Sequence, residues 1–403
     1  MQENVRLSLS NQEFHARRKR LFSYLAERPG GGVDAVVLFL PHNVSYFAKF
    51  GFMVTERPIA LVLAPERAAL LVPRLEKEHA EAVALVDEVA VYPEYPDVRH
   101  PMEYLRDLLR GMGLSAATIG CDAAGASQVF GYRGPLLAQL LPDARVESVL
   151  DDIETLQMIK SKEELELIEL SAHWGHRAHQ LLQQYARPGI GEVELSQRAS
   201  ADATQEMLAA LGPGYVPQSW EKAGAHAGFH GQVGRQSALP HVLTSNAKLM
   251  PGDVLVSLAT STVAGYSSEL ERTMIMGEPS REQERYFRLM LEAQELALGM
   301  MRPGIRCADV DAAVRRFFRV NGLMPYWRHH TGHGLGRLLH EPPYLDVGDE
   351  RVLAPGMVVS VEPGIYVPEL GGFRHSDTVV VTENGIRTLT TYPRRLEDLI
   401  IPC

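Results

Sequence analysis

Three glutamates and a histidine have types and spacing that could do chemistry. Glu269 and Glu271 are two positions apart in a strand-like segment, so on a strand both side chains point to one face. His333 lies in the run Thr-Gly-His-Gly-Leu-Gly, and Glu362 lies in Ser-Val-Glu-Pro-Gly-Ile-Tyr. Three carboxylates that converge in a folded protein are costly unless a cation neutralises them. The pattern therefore predicts a site organised around positive charge.

Three kinds of cation fit such a cluster. A guanidinium, amidinium or ammonium group of a substrate would be held by charge-assisted hydrogen bonds. The chain's own Arg272 or Arg374 could also supply the charge. The third candidate is a metal ion, with His375 or Asp377 as an additional ligand. Its main ligands would be two carboxylates and one imidazole, a set that suits Zn, Fe or Mn: Glu269, Glu362 and His333.

The first part of the chain alternates predicted helices and strands. Helical spacing covers 14–28 and 101–113, and short apolar, β-branched runs predict buried strands at 32–40, 59–64, 68–73 and 117–121. Such alternation is typical of an α/β domain, which we expect to comprise residues 1–153.

The pattern changes after a predicted bridge at 154–160. Helices are predicted at 161–185, 192–211, 281–300 and 308–320, and strands at 254–258, 269–276, 357–362 and 378–382. Residues 225–232 are Gly-rich, which favours a loop carrying His226 and His230. Residues 154–403 are therefore expected to form an α+β domain.

Composition limits the partners and the compartment. The chain has 403 residues and a formal net charge of -10, which disfavours nucleic acid and acidic membrane surfaces. The sequence contains no run of about 20 apolar residues of the kind that spans a bilayer. The cysteines, Cys121, Cys307 and Cys403, are scattered and show no metal-binding spacing. We therefore expect a cytoplasmic protein whose partners include neither nucleic acid nor a membrane.

These motifs, at consistent spacing, resemble the creatinase/prolidase family over essentially the whole chain. The resemblance implies a creatinase-type N-terminal domain followed by a pita-bread catalytic domain, and a homodimer. In the metallopeptidases of this family two Asp, one His and two Glu hold two metal ions. Those positions fall here on Leu258, Glu269, His333, Glu362 and Ser376. Leucine cannot coordinate a cation, and a neutral serine is a poor ligand for such metals.

Creatinase itself is the metal-free branch, and its active site resembles His241, Glu271 and Glu362 here. On this hypothesis His241 acts as base and acid, because a histidine titrates near neutral pH. The resemblance adds His333 and His340 to the catalytic set. It implies substrate contacts from Arg57, Glu269, His329 and Arg374. Creatinase also has an arginine near the position of Tyr344, and its absence here argues against creatine itself.

The sequence thus supports three functional hypotheses. The main one is a creatinase-like hydrolase of a C–N bond that needs no cofactor, acting on a guanidino, amidino or short peptidic substrate. The second is a prolidase-like Xaa-Pro dipeptidase or aminopeptidase that retains one divalent ion of Mn, Zn or Fe at Glu269, His333 and Glu362. The third is a binding protein that kept the cleft and lost turnover.

Overall fold

A computed structural model describes residues 6–125, 132–218 and 224–403. The chain divides into two compact units. One is Leu9–Gln157, and the other combines Met1–Ser8 with Met158–Cys403.

The N-terminal unit is a six-stranded sheet with helices. Its helices are α1 (Asn11–Glu27), α2 (Pro41–Ala48), α3 (Lys77–Val83), α4 (Pro101–Gly111), α5 (Leu137–Leu140) and α6 (Leu150–Met158). Its strands are β1 (Ala35–Leu38), β2 (Ala60–Ala64), β3 (Arg67–Pro73), β4 (Glu88–Tyr92), β5 (Thr118–Cys121) and β6 (Arg145–Ser148), in the spatial order β4-β3-β2-β1-β5-β6. The strands β1 to β3 read as apolar runs because both faces of the sheet are covered by core clusters.

The C-terminal unit contains four long helices. They are α7 (Lys162–Tyr185), α8 (Glu192–Leu211), α9 (Arg281–Met300) and α10 (Cys307–Val320). The Ser161 side chain accepts a hydrogen bond from the Glu164 backbone N–H, and the Glu164 side chain accepts one from the Ser161 N–H. This capping box explains why α7 begins where the sequence predicts. Helix α8 ends at Gly212, which has a positive φ of 81°.

The strands of this unit build the surface that carries the chemistry. They are β7 (Ala225–Gly228), β8 (Val254–Val263), β9 (Tyr266–Ser267), β10 (Leu270–Met276), β11 (Gly332–Gly334), β12 (Glu341–Leu345), β13 (Val358–Val361), β14 (Gly364–Val367), β15 (Gly371–Arg374), β16 (Ser376–Thr382), β17 (Gly385–Thr388) and β18 (Ile400–Ile401). The main path of the large sheet is β12-β11-β13-β16-β10-β8-β7, while β14 and β15 pair separately. The register places Glu271 between Leu258 on one side and Ser376 on the other.

The expected fold is confirmed, with two local corrections. The hairpin of β8 and β10 is antiparallel as predicted. Residues 225–232 were expected to form a loop, but β7 pairs with β8 there, because a neighbouring apolar strand can impose extended structure on a weak segment. The expected bridge at 154–160 belongs largely to α6. The domain boundary after residue 153 stays a prediction. Among the described residues, no helix combines the length and apolar character that crossing a bilayer requires.

Candidate active site

A cavity of about 430 Å³ opens between the strands of the C-terminal unit. Its walls come from β8, β10, β15, the loop after β13 and the segments that flank them. The lining residues are His230, Gln232, Pro240, His241, Val242, Leu258, Glu269, Glu271, His329, His330, His340, Glu362 and Arg374. Most of the residues that the sequence singles out therefore meet around one space.

The predicted carboxylate cluster forms at the floor of this cavity. Glu269, Glu271 and Glu362 each offer an oxygen within 4.8 Å of the others. Their relative exposures are 3%, 2% and 8%. Burial and the charge of Glu362 raise the pKa of Glu269. The cluster therefore holds like charges in a poorly solvated place, which requires compensation.

One of the two candidate arginines supplies part of that compensation. Arg374 binds Glu271 in a bidentate pair, through Nε to Oε2 and through Nη2 to Oε1 at 2.5 Å. Burial alone would lower the pKa of Arg374, but the Glu271 carboxylate raises it well above its usual value. Arg272 points to the other face of β10, where it binds Asp377 at 2.8 Å. Glu269 and Glu362 therefore lack a bidentate arginine partner of this kind among the described residues.

The His333 imidazole faces those two glutamates. Its Nδ1 bonds the Gly334 carbonyl at 3.1 Å, which directs Nε2 toward Glu362 Oε1 at 3.0 Å and Glu269 Oε2 at 3.9 Å. Nε2 is buried and has no hydrogen-bond partner of good geometry within the described part of the chain. A histidine whose second nitrogen bonds a carbonyl, with the first free beside carboxylates, is typical of a metal ligand. The residues present therefore fit a divalent ion.

The charges of this group are mutually dependent. Burial alone would lower the pKa of His333, but Glu362 and Glu269 raise it to about 9. Burial alone would raise the pKa of Glu362, yet His333 and Arg374 lower it. Without a metal ion, the proton on His333 is what offsets the adjacent negative charge.

Ser376 and Leu258 stand where the family resemblance places two further ligands. Ser376 Oγ donates to Glu269 Oε1 at 2.7 Å, so this hydroxyl orients a carboxylate. Leu258 lines the cavity with an aliphatic side chain that has no donor atom. Ser376 therefore supports a ligand-type carboxylate, and Leu258 offers only an apolar surface. Neither position adds a strong metal ligand.

Two further histidines are neutral members of the wall. His340 stacks on His333, with ring centroids 3.7 Å apart, and burial together with His333 lowers its pKa to about 4. Burial likewise lowers the pKa of His329 to about 4. His329 Nε2 lies 2.8 Å from the Tyr366 hydroxyl, which accepts from Arg374 Nη1 at 3.0 Å. This chain links the cavity wall to the Arg374–Glu271 pair.

Other predicted residues lie at the rim or elsewhere. His241 is exposed and lines the cavity. Arg57 lies in the N-terminal unit, where it bonds Glu94 and Glu56. His375 contacts the Thr273 N–H and the Arg394 carbonyl. Like Asp377, it is engaged away from the three glutamates, so neither is a fourth ligand.

Sequence comparison identifies the family. Residues 17–159 match the creatinase/prolidase N-terminal domain, and residues 166–383 match metallopeptidase family M24. The chain belongs to the creatinase/prolidase family. As a member of M24 it is a hydrolase of C–N bonds.

Relatives within M24 are mainly named as peptidases. The chain is 34% identical to the uncharacterized peptidase YqhT of Bacillus subtilis, over 91% of this chain and 96% of that one. It is 28% identical to the Xaa-Pro dipeptidase of Pyrococcus furiosus, over 94% and 99%, and 26% identical to a Bacillus creatinase, over 99% and 95%. The structure of dipeptidase PepE from Mycobacterium ulcerans matches with a TM-score of 0.80 at 27% identity, covering 98% of this chain and 100% of that one.

The expectation that this M24 site needs no cofactor is wrong. The matching family is one of metallopeptidases, and the structure assembles the three carboxylates as a group that could hold an ion. The error came from weighing the lost ligands at Leu258 and Ser376 above the retained ones. The geometry of Glu269, His333 and Glu362 outweighs that argument, because three ligands with open positions suffice for a catalytic ion.

The sequence interpretation missed Tyr366 and Gln232. Tyr366 bonds both His329 and Arg374, and Gln232 Oε1 accepts from Arg374 Nη2 at 3.3 Å. Tyr366 lies four positions after Glu362 in the same motif, which was a usable signal. The sequence contains no such signal for Gln232, because its contact with Arg374 depends on the path of the segment after β7.

Proposed function

We propose that this chain hydrolyses small peptidic substrates of the Xaa-Pro dipeptide class, using a divalent metal ion held by Glu269, His333 and Glu362. The observation that carries this proposal is the buried His333 Nε2, which faces two carboxylates and is otherwise unpartnered among the described residues. The peptidase names of the relatives support the substrate class.

The ligand set supports one ion. A second ion would depend on the positions of Leu258 and Ser376, where one side chain has no donor and the other orients Glu269. When bound, the ion supplies Lewis acidity for activating water and polarising a carbonyl. Carboxylate and imidazole ligands suit Mn, Zn or Fe.

The remaining residues would bind the substrate or transfer protons. His241, at the exposed rim, would accept a proton from water and return it to the leaving nitrogen. Neutral His340 would hydrogen-bond the substrate beside His333. Arg374 would act through Glu271, which it holds in place. On the basis of the family resemblance, we also propose that Arg57 contacts the substrate. The same resemblance supports a homodimer and a cytoplasmic location.

Metal-dependent turnover tests the proposal. The purified protein is stripped with a chelator, reloaded with Mn²⁺, Zn²⁺ or Fe²⁺, and assayed on Ala-Pro, on Ala-Ala and on creatine. We expect hydrolysis of Ala-Pro that returns only with metal and is lost in Glu362→Gln. The matched control is Glu369→Gln, because the Glu369 side chain is 78% exposed. Full turnover by metal-free protein, or turnover of creatine alone, would refute the proposal.

A further inference from the structure

Two segments at the rim of the cavity carry histidines toward it. His230 and His241 both line the space, and each belongs to an irregular segment, 229–233 or 239–247. The segments touch closely, since a Cβ on Gly231 would lie 2.2 Å from the Leu243 carbonyl oxygen. His230 itself has a positive φ of 50°, a conformation that a non-glycine residue holds only when its surroundings impose it.

One buried carboxylate bonds both segments. Glu192, at the first position of α8, is 1% exposed. Its Oε2 accepts from the Gly231 N–H at 2.9 Å, directly after His230. Its Oε1 accepts from the Ser245 N–H and from Ser245 Oγ, the latter at 3.0 Å. The same residue therefore fixes a point next to His230 and a point four residues after His241.

The carboxylate is itself rigidly placed. The Glu192 N–H donates to the Ala247 carbonyl at 2.9 Å, and Gly191 pairs with Lys248 in an isolated bridge. A negative charge in the first turn of a helix is favourable. Three donors directed at one buried carboxylate give short, charge-assisted bonds that hold loops more firmly than neutral ones. The two rim segments are thus both bonded to the first residue of α8, a long helix of the C-terminal unit.

We propose that Glu192 is a positioning residue for hydrolysis, which keeps His230 and His241 directed into the cavity. This inference rests on the proposed function for the role of His241. Glu192 acts through the Gly231 and Ser245 amides, and it is not among the residues that line the cavity. Its loss should therefore lower turnover without changing metal affinity.

Two variants and one control test this role. Glu192→Gln keeps the shape but places an amide donor against N–H donors. Ser245→Ala removes the hydroxyl, which donates to Glu192 and accepts from the Ala247 N–H, but keeps the Ser245 N–H that bonds Glu192. The control is Glu194→Gln, which lies in the same helical turn but is exposed. The measurements are kcat and KM with Ala-Pro, Mn²⁺ affinity by calorimetry, and amide hydrogen exchange of peptides covering 229–247.

For Glu192→Gln we expect kcat to fall at least about tenfold, with Mn²⁺ affinity within about twofold and faster exchange at Gly231 and Ser245. Ser245→Ala should show the same pattern more weakly, and Glu194→Gln should match the wild type. Unchanged exchange in Glu192→Gln, or equal loss of kcat and metal affinity, would overturn the proposal. If the wild type does not cleave Ala-Pro, the proposed function fails, while the exchange data still decide whether Glu192 holds the rim.

Discussion

The two faces of strand β10 carry opposite kinds of charged cluster. On one face Arg272 is fully buried and donates to Asp377 and to four backbone carbonyls. Asp377 also accepts from Thr390 and Gln294. On the cavity face, Glu269 and Glu362 flank the Nε2 of His333, which lies 3.9 Å from Glu269 Oε2 and 3.0 Å from Glu362 Oε1. Hence one cluster is closed and structural, whereas the other is open and suited to bind a cation.

The largest expected effect comes from breaking the closed cluster. Asp377→Ala should lower the free energy of unfolding by about 3–5 kcal/mol, because it leaves the buried Arg272 charge unpaired. Urea unfolding of metal-free protein measures this. Glu350→Ala is the control. Since Glu350 pairs with Arg306 at the surface, it should cost no more than about 1 kcal/mol. Equal losses in both variants would contradict the distinction.

The open cluster should respond in the opposite way. Glu269→Gln removes one of two facing carboxylates, so metal-free protein should keep or gain stability, by up to about 1 kcal/mol. Its affinity for Mn²⁺ should nevertheless fall by more than about 100-fold. Substituting a residue that only orients a metal ligand typically lowers metal affinity by about 10–100-fold, and Glu269 is a proposed ligand itself. Unfolding curves and calorimetric titration of the same preparation measure both quantities. A strongly destabilised variant with unchanged metal affinity would show that Glu269 is structural.

A gain of ligands should give the smallest change in metal binding, from one ion to two, and sharpen the comparison further. The double substitution Leu258→Asp with Ser376→Glu places carboxylates at both positions that lack them, so metal content should rise from one to two equivalents per chain. Leu258→Asn with Ser376→Gln is the uncharged control and should remain at one. Metal analysis of the dialysed proteins decides the matter. Two equivalents already in the wild type would show that other groups complete the site.

Local patterns predicted the elements well where signals were explicit. The end of α8 was predicted because Gly212-Pro213-Gly214 follows a helical run. Strand β7 was not predicted, because its Ala-His-Ala-Gly sequence lacks β-branched residues and depends on pairing with β8. Alternation along a strand also implies that Arg272 points away from Glu271. The same alternation could not identify Arg374 as the partner of Glu271, because the position of Arg374 depends on the β14–β15 pairing.

The chain's sequence by itself determined the family, the order of helices and strands, and the identity of the ligand-type residues Glu269, His333 and Glu362. These follow from side-chain chemistry and short-range spacing, which are properties of the chain. Only the tertiary structure decided which carboxylate Arg374 neutralises, which nitrogen of His333 faces the glutamates, and that Glu192 joins the two rim segments. Those outcomes depend on distances between residues far apart in the chain, and charges interact according to separation and burial rather than sequence order.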